Sequence, residues 1–122
     1  MGKSILLIDD SATIRHSVSY ILEQEGYQLI EAADGLNGLK QLVTAAKLDL
    51  VITDINMPNM DGISFIKKAR EIPKYKSIPI LILTTESQGS KMTEGMEAGA
   101  TGWIVKPFSA EKLLAVVKKV TE

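Results

Sequence analysis

Apolar residues in this chain fall into two kinds of run, and the two kinds alternate. Four runs are short and nearly unbroken: Ile5-Leu6-Leu7-Ile8, Leu50-Val51-Ile52-Thr53, Ile80-Leu81-Ile82-Leu83 and Trp103-Ile104-Val105. Successive side chains of a strand point to opposite faces, so an unbroken apolar run needs cover on both sides. The first three runs therefore predict central strands of a parallel sheet with both faces buried. Gln28-Leu29-Ile30-Glu31-Ala32 is more mixed and predicts an edge strand.

Between these runs, apolar residues recur with helical spacing. Ile14, Val18, Ile21 and Leu22 form one stripe, which Gly26 can terminate. Leu36, Leu39 and Val43 form a second, with Asp34 as candidate N-cap. Ile63, Ile66 and Ala69 form a third, after Asp61. Leu113, Leu114, Val116, Val117 and Val120 form the last, behind Ser109. Residues 88–98 make the poorest helix. Met92 and Met96 are its large apolar residues, and Gly95 costs about 1 kcal/mol relative to alanine.

The alternation predicts an α/β domain of five βα units. Right-handed crossovers put five helices on the two faces of one five-stranded parallel sheet, with the expected order 2-1-3-4-5. The 122 residues suit one domain spanning residues 1–122.

Ligands of such sheets gather beyond the carboxyl ends of the strands, where strands 1 and 3 diverge. The residues at those ends are Asp9-Asp10, Asp54, Thr84-Thr85 and Lys106-Pro107. Neighbouring carboxylates repel unless a cation lies between them. Hard oxygen donors without a neighbouring His or Cys point to Mg²⁺ and not to zinc. A carboxylate such as Asp54 is also a nucleophile that can form an aspartyl-phosphate, with no general base needed at neutral pH. Lys106 could neutralise phosphoryl oxygens and Thr84 could donate a hydrogen bond.

Composition narrows the field. The chain has no cysteine, which removes disulfides, thiolate zinc sites and cysteine nucleophiles. A net charge of −1 with dispersed lysines argues against nucleic-acid binding. No apolar run approaches the roughly 20 residues of a membrane span, and no signal-peptide pattern opens the chain, so a cytoplasmic location is expected. His16 sits among polar residues and is expected at the surface. Gly35-Leu36-Asn37-Gly38 lacks a phosphate-loop pattern, and Met57 and Met60 read as loop packing.

The order of these motifs resembles the receiver domains of two-component response regulators. An acidic pair after strand 1, an acceptor Asp after strand 3, a Ser/Thr after strand 4 and a Lys-Pro after strand 5 match Asp9-Asp10, Asp54, Thr84 and Lys106-Pro107. Asp54-Ile55-Asn56-Met57-Pro58-Asn59-Met60-Asp61-Gly62 is similar to the family's D-x-x-M-P-x-M-D-G signature. The resemblance covers essentially the whole chain and is closest to stand-alone, CheY-like chemotaxis regulators of flavodoxin-like fold.

The resemblance implies that Asp54 accepts a phosphoryl group from a histidine kinase. It implies Mg²⁺ held by Asp10, Asp54 and the Asn56 carbonyl, with Asp9 acting through water. Thr84 and the aromatic position occupied here by Trp103 would move on activation. Tyr or Phe is commoner there, so Trp103 is a departure. Asn56 and Glu86 would tune the phosphoryl lifetime, and Pro107 would follow a cis peptide bond. Implied partners are the kinase, an output protein on the helix 4–strand 5–helix 5 face, and a phosphatase. The chain would be a monomer, acting on no nucleic acid or membrane. It would be no enzyme beyond its own phosphotransfer and dephosphorylation.

Two other readings compete. A metal-dependent phosphohydrolase with an aspartyl-phosphate usually needs a second Asp two residues on, where this chain has Asn56. A phosphorylation-independent pseudo-receiver binding module usually lacks an acidic, acceptor or lysine position, and all are kept here.

Overall fold

A computed structural model describes residues 2–85 and 89–122. Five strands, β1 (Ser4–Ile8), β2 (Gln28–Ala32), β3 (Leu50–Thr53), β4 (Ile80–Thr84) and β5 (Gly102–Val105), pair in parallel in the order β2-β1-β3-β4-β5. Five helices alternate with them: α1 (Ala12–Glu23), α2 (Gly35–Thr44), α3 (Gly62–Glu71), α4 (Gly89–Ala98) and α5 (Ala110–Thr121). A short 3-10 turn at Pro73–Tyr75, between α3 and β4, has no counterpart in the expected pattern.

The strands divide their side chains between two cores. Leu6, Ile8, Val51, Ile80 and Ile82 face α2 and α3, against Leu42, Ile63, Phe65, Ile66 and Ala69. Ile5, Leu7, Leu50, Ile52, Leu81 and Leu83 face α1 and α5, against Val18, Leu22, Leu113 and Val117. Alternate residues of one strand thus enter opposite cores, which is why the central runs carry no charged position.

Capping follows the sequence closely. Asp34, Asp61 and Ser109 accept hydrogen bonds from the backbone N–H three residues on, and so do the work expected of an N-cap. Ser11 caps α1 in the same way, leaving both Asp9 and Asp10 for other contacts. Gly26 takes a φ of 92° after α1, a left-handed conformation that a side chain would disfavour.

Of the stripe expected on α2, Leu39 packs against the core but the other two members do not. Leu36 and Val43 are 48% and 64% exposed, while Gly35, Gly38 and Leu42 face inwards. The reason is close approach. A Cβ on Gly38 would lie 2.5 Å from Ile8 Cδ1, so α2 rests on the sheet through Gly38, while Gly35 lies against Met60 of the loop after β3. In α4, Gly95 has the same role against Ile82, whose Cδ1 would lie 2.4 Å from an added Cβ. Met92 is buried there and Met96 is exposed.

Candidate functional site

The carboxyl ends of β1, β3 and β5 converge on one charged cluster. Asp9 directly follows β1 and is 1% exposed. Asp54 directly follows β3 and is 9% exposed. Lys106 directly follows β5 and bridges them, its Nζ donating to Asp9 Oδ2 at 2.9 Å and to Asp54 Oδ2 at 3.1 Å. Each carboxylate is also held by a backbone donor. Asp9 Oδ1 accepts from the N–H of Ser11 at 2.9 Å, and Asp54 Oδ1 from that of Ile55 at 2.7 Å.

Asp10 lies at the exposed rim. One carboxylate oxygen from each of Asp9, Asp10 and Asp54 lies within 4.8 Å of the others. Three carboxylates thus face one ammonium, and their oxygens are hard donors. That excess of negative charge and that donor type fit a divalent, oxygen-preferring cation.

Electrostatics reflect the burial. Desolvation pushes the Asp54 carboxyl above its ordinary value, and neighbouring Asp9 adds to this. The Lys106 ammonium and the Ile55 N–H oppose the rise without cancelling it. Desolvation pulls the Lys106 ammonium down, but its hydrogen bond to Asp9 and the charges of Asp54 and Asp9 outweigh that and hold it above its ordinary value.

The loop after β3 is tightly placed. A Cβ on Gly62 would lie 2.0 Å from the Asp54 carbonyl oxygen, so only glycine lets α3 begin against the Asp54 backbone. The Gly62 N–H donates to the Ile55 carbonyl at 2.8 Å. Asn59, with a φ of 69°, sends its Nδ2 to Asp34 Oδ2 at 2.6 Å and ties this loop to the N-terminus of α2. Asn56 is exposed beside the cluster.

Thr84 ends β4, fully buried, and its carbonyl accepts the Lys106 N–H at 2.8 Å. The end of β4 is therefore coupled through the backbone to the bridging lysine. The Lys106–Pro107 peptide is cis, as expected. Trp103 is 42% exposed on edge strand β5. With Met92, Thr93, Met96 and Glu97 of α4 it lines a shallow depression of about 350 Å³. Glu86 lies outside the described residues.

Comparison with known proteins agrees with this geometry. The family model described as the response regulator receiver domain matches residues 5–118. The chain belongs to that family. Among receiver-domain relatives, it is 36% identical over 110 residues to chemotaxis protein CheY1 of Helicobacter pylori, covering 89% of each chain. The solved structure of chemotaxis response regulator CheY4 of Vibrio cholerae superposes with a TM-score of 0.93 at 44% identity, covering 98% of this chain and 99% of that one. The chain is also 39% identical over 116 residues to sensor histidine kinase CheAY of Helicobacter pylori. There it covers 94% of this chain but spans only 14% of the relative's length, so similar receiver domains also occur inside much longer proteins.

Sequence reasoning found every member of the charged cluster, because strand ends can be located from strand runs. It did not find the polar chain behind the cluster. Arg15 carries no motif of its own, yet its Nη1 donates to the Asp9 carbonyl and its Nε pairs with Glu31 at 3.2 Å. That partnership joins α1 to β2, and no local spacing announces it.

Proposed function

We propose that this receiver domain is a phosphorylation switch whose acceptor is Asp54. The observation that carries the reading is the Lys106 bridge between Asp9 and Asp54, at the mouth of a cluster of three carboxylates. Asp54 is the natural nucleophile, since it sits at the switch point of the sheet with one oxygen held by a backbone N–H. In the transfer, an Asp54 oxygen forms a bond to phosphorus as the phosphorus–nitrogen bond of a kinase phosphohistidine breaks, and the imidazole takes its proton from solvent. Lys106 then pairs with the phosphoryl oxygens, and the Thr84 hydroxyl supplies a further hydrogen bond.

Asp9, Asp10 and Asp54 are the residues that would hold Mg²⁺, together with the Asn56 backbone carbonyl. The ion would supply charge neutralisation for the phosphoryl oxygens. Asn56 beside the acceptor and Glu86 beyond Thr84 set how readily water reaches the acyl phosphate. Hydrolysis resets the switch, so the chain turns over its own phosphoryl group and no external substrate.

The partners we infer are a chemotaxis-type histidine kinase and an output protein that docks on α4, β5 and α5, with a phosphatase as a further regulator. The likeness to CheY1 and CheY4 supports this choice. By the same likeness we infer that it acts in the cytoplasm as a monomer. None of its described helices is long and apolar enough to cross a membrane.

The test is phosphoryl uptake from acetyl phosphate. With Mg²⁺ one hydroxylamine-labile phosphoryl group per chain is expected, and none in Asp54→Asn. Phosphomonoesters should not be turned over. Steady hydrolysis of a phosphomonoester would favour the hydrolase reading, and no uptake at all would favour a phosphorylation-independent binding module.

A further inference from the structure

Behind the acidic cluster runs a chain of polar contacts that the proposed chemistry does not use. Arg15, on α1, donates from Nη1 to the Asp9 carbonyl oxygen at 2.5 Å. Its Nε donates to Glu31 Oε1 at 3.2 Å. The other oxygen of Glu31 accepts from Ser19 Oγ at 3.0 Å. The Arg15 side chain is 18% exposed and that of Glu31 35%.

The Asp9 carbonyl belongs to the peptide unit that joins Asp9 to Asp10. That unit is planar, so a donor fixed on its oxygen fixes the orientation of the whole plane. One side of the plane carries the buried carboxylate bonded to Lys106, and the other leads to the exposed carboxylate at the rim. Among the described residues no side-chain hydrogen bond holds the Asp10 carboxylate, so the orientation of its backbone limits where that carboxylate can reach. The guanidinium is a rigid fork, and Glu31 on β2 holds it from the far side.

We propose that Arg15 is a positioning residue for the divalent-cation site, acting through the Asp9–Asp10 peptide, with Glu31 and Ser19 orienting it. The inference rests on the reading of Asp9, Asp10 and Asp54 as a Mg²⁺ site. It makes a prediction of unusual sign. A cationic side chain near a cation site opposes binding by simple charge repulsion, so its removal should tighten Mg²⁺ binding. Positioning demands the reverse.

The experiment is calorimetric titration of the full chain with Mg²⁺, with urea unfolding measured in parallel. Wild type, Arg15→Ala, Arg15→Lys and Glu31→Gln are compared. Loss of an orienting partner behind a metal ligand weakens affinity by about 10–100-fold. Arg15→Ala should raise the Kd for Mg²⁺ by about tenfold or more. Arg15→Lys should raise it too, since a flexible lysine stem with a point charge replaces the rigid fork that spans the carbonyl and Glu31. Glu31→Gln, which leaves the guanidinium in place but loosens it, should raise it less. Saturating Mg²⁺ should restore phosphoryl uptake from acetyl phosphate in all three.

A wild-type or tighter Kd in either folded Arg15 variant overturns the proposal, even if that variant is less stable. Should Arg15→Ala fail to fold, Arg15→Lys decides alone by the same rule. A wild-type chain that binds no Mg²⁺ overturns the cation site and the role of Arg15 together. Normal binding and uptake in wild type with unchanged variants overturns only the role of Arg15.

Discussion

Asp54 carries two demands that pull against each other. It must be ionised to act as a nucleophile, yet it sits in a pocket that disfavours its charge. Because burial raises its pKa, the folded chain binds the Asp54 proton more tightly than the unfolded chain does. The stability this proton confers is fully present below the ordinary value of 3.8 and is lost as pH rises through the raised folded value. At neutral pH the ionised carboxylate is therefore a burden on the metal-free fold. Asp54→Asn should accordingly be more stable than wild type towards urea at neutral pH, and the gap should close as the pH is lowered towards 3.8. A less stable Asp54→Asn at neutral pH would mean that the lysine bridge outweighs desolvation. Lys106 has the opposite window. Its raised pKa means that its contribution is fully present below 10.5 and is lost only as pH rises beyond that, through the folded value.

Among the elements, α2 and α4 show what large apolar residues fail to reveal. A stripe of Leu36, Leu39 and Val43 has sound helical spacing, but glycine is what lets a helix backbone come close to a sheet. Gly35 and Gly38 mark the buried face of α2, and a count of bulky side chains gives them no weight. Leu42, fully buried, should therefore cost about 2–5 kcal/mol when changed to Ala. Val43→Ser should stay within about 0.5 kcal/mol of wild type, because the side chain is already in water. Urea midpoints of the two variants check the assignment, and equal losses would contradict it. The strands were legible for the opposite reason. Ile5 to Ile8 and Leu50 to Thr53 are fully buried on both faces, so every position had to be non-charged.

Across the molecule, the topology brings residues 97 and 52 positions away from Lys106 onto its ammonium. Those contacts could be anticipated because β1, β3 and β5 all end on one rim. The Arg15–Glu31 link could not, since it depends on how α1 lies across β2. Trp103 lies on β5, three residues before Lys106, on the face where an output protein would dock. It is two-fifths exposed beside Met92 and Met96. Occupation of the Asp54 site should draw Thr84 towards the phosphoryl group and free space for the indole to turn inwards, a shift between conformers that the bound group favours. Beryllofluoride with Mg²⁺ should then move the Trp103 emission to shorter wavelength in wild type, less in Thr84→Ala, and not in Asp54→Asn. An emission unchanged in wild type would make Trp103 a static packing residue.

The identity of the acceptor is the point on which everything else depends, and it can be read chemically. Borohydride reduces an acyl phosphate of aspartate to homoserine, leaving a permanent mark on the residue that carried the phosphoryl group. After incubation with acetyl phosphate and Mg²⁺, reduction and peptide mapping should find homoserine at position 54 and at no other aspartate. Homoserine at position 9 or 10, or none at position 54 in a chain that has taken up phosphate, would contradict the assignment of Asp54.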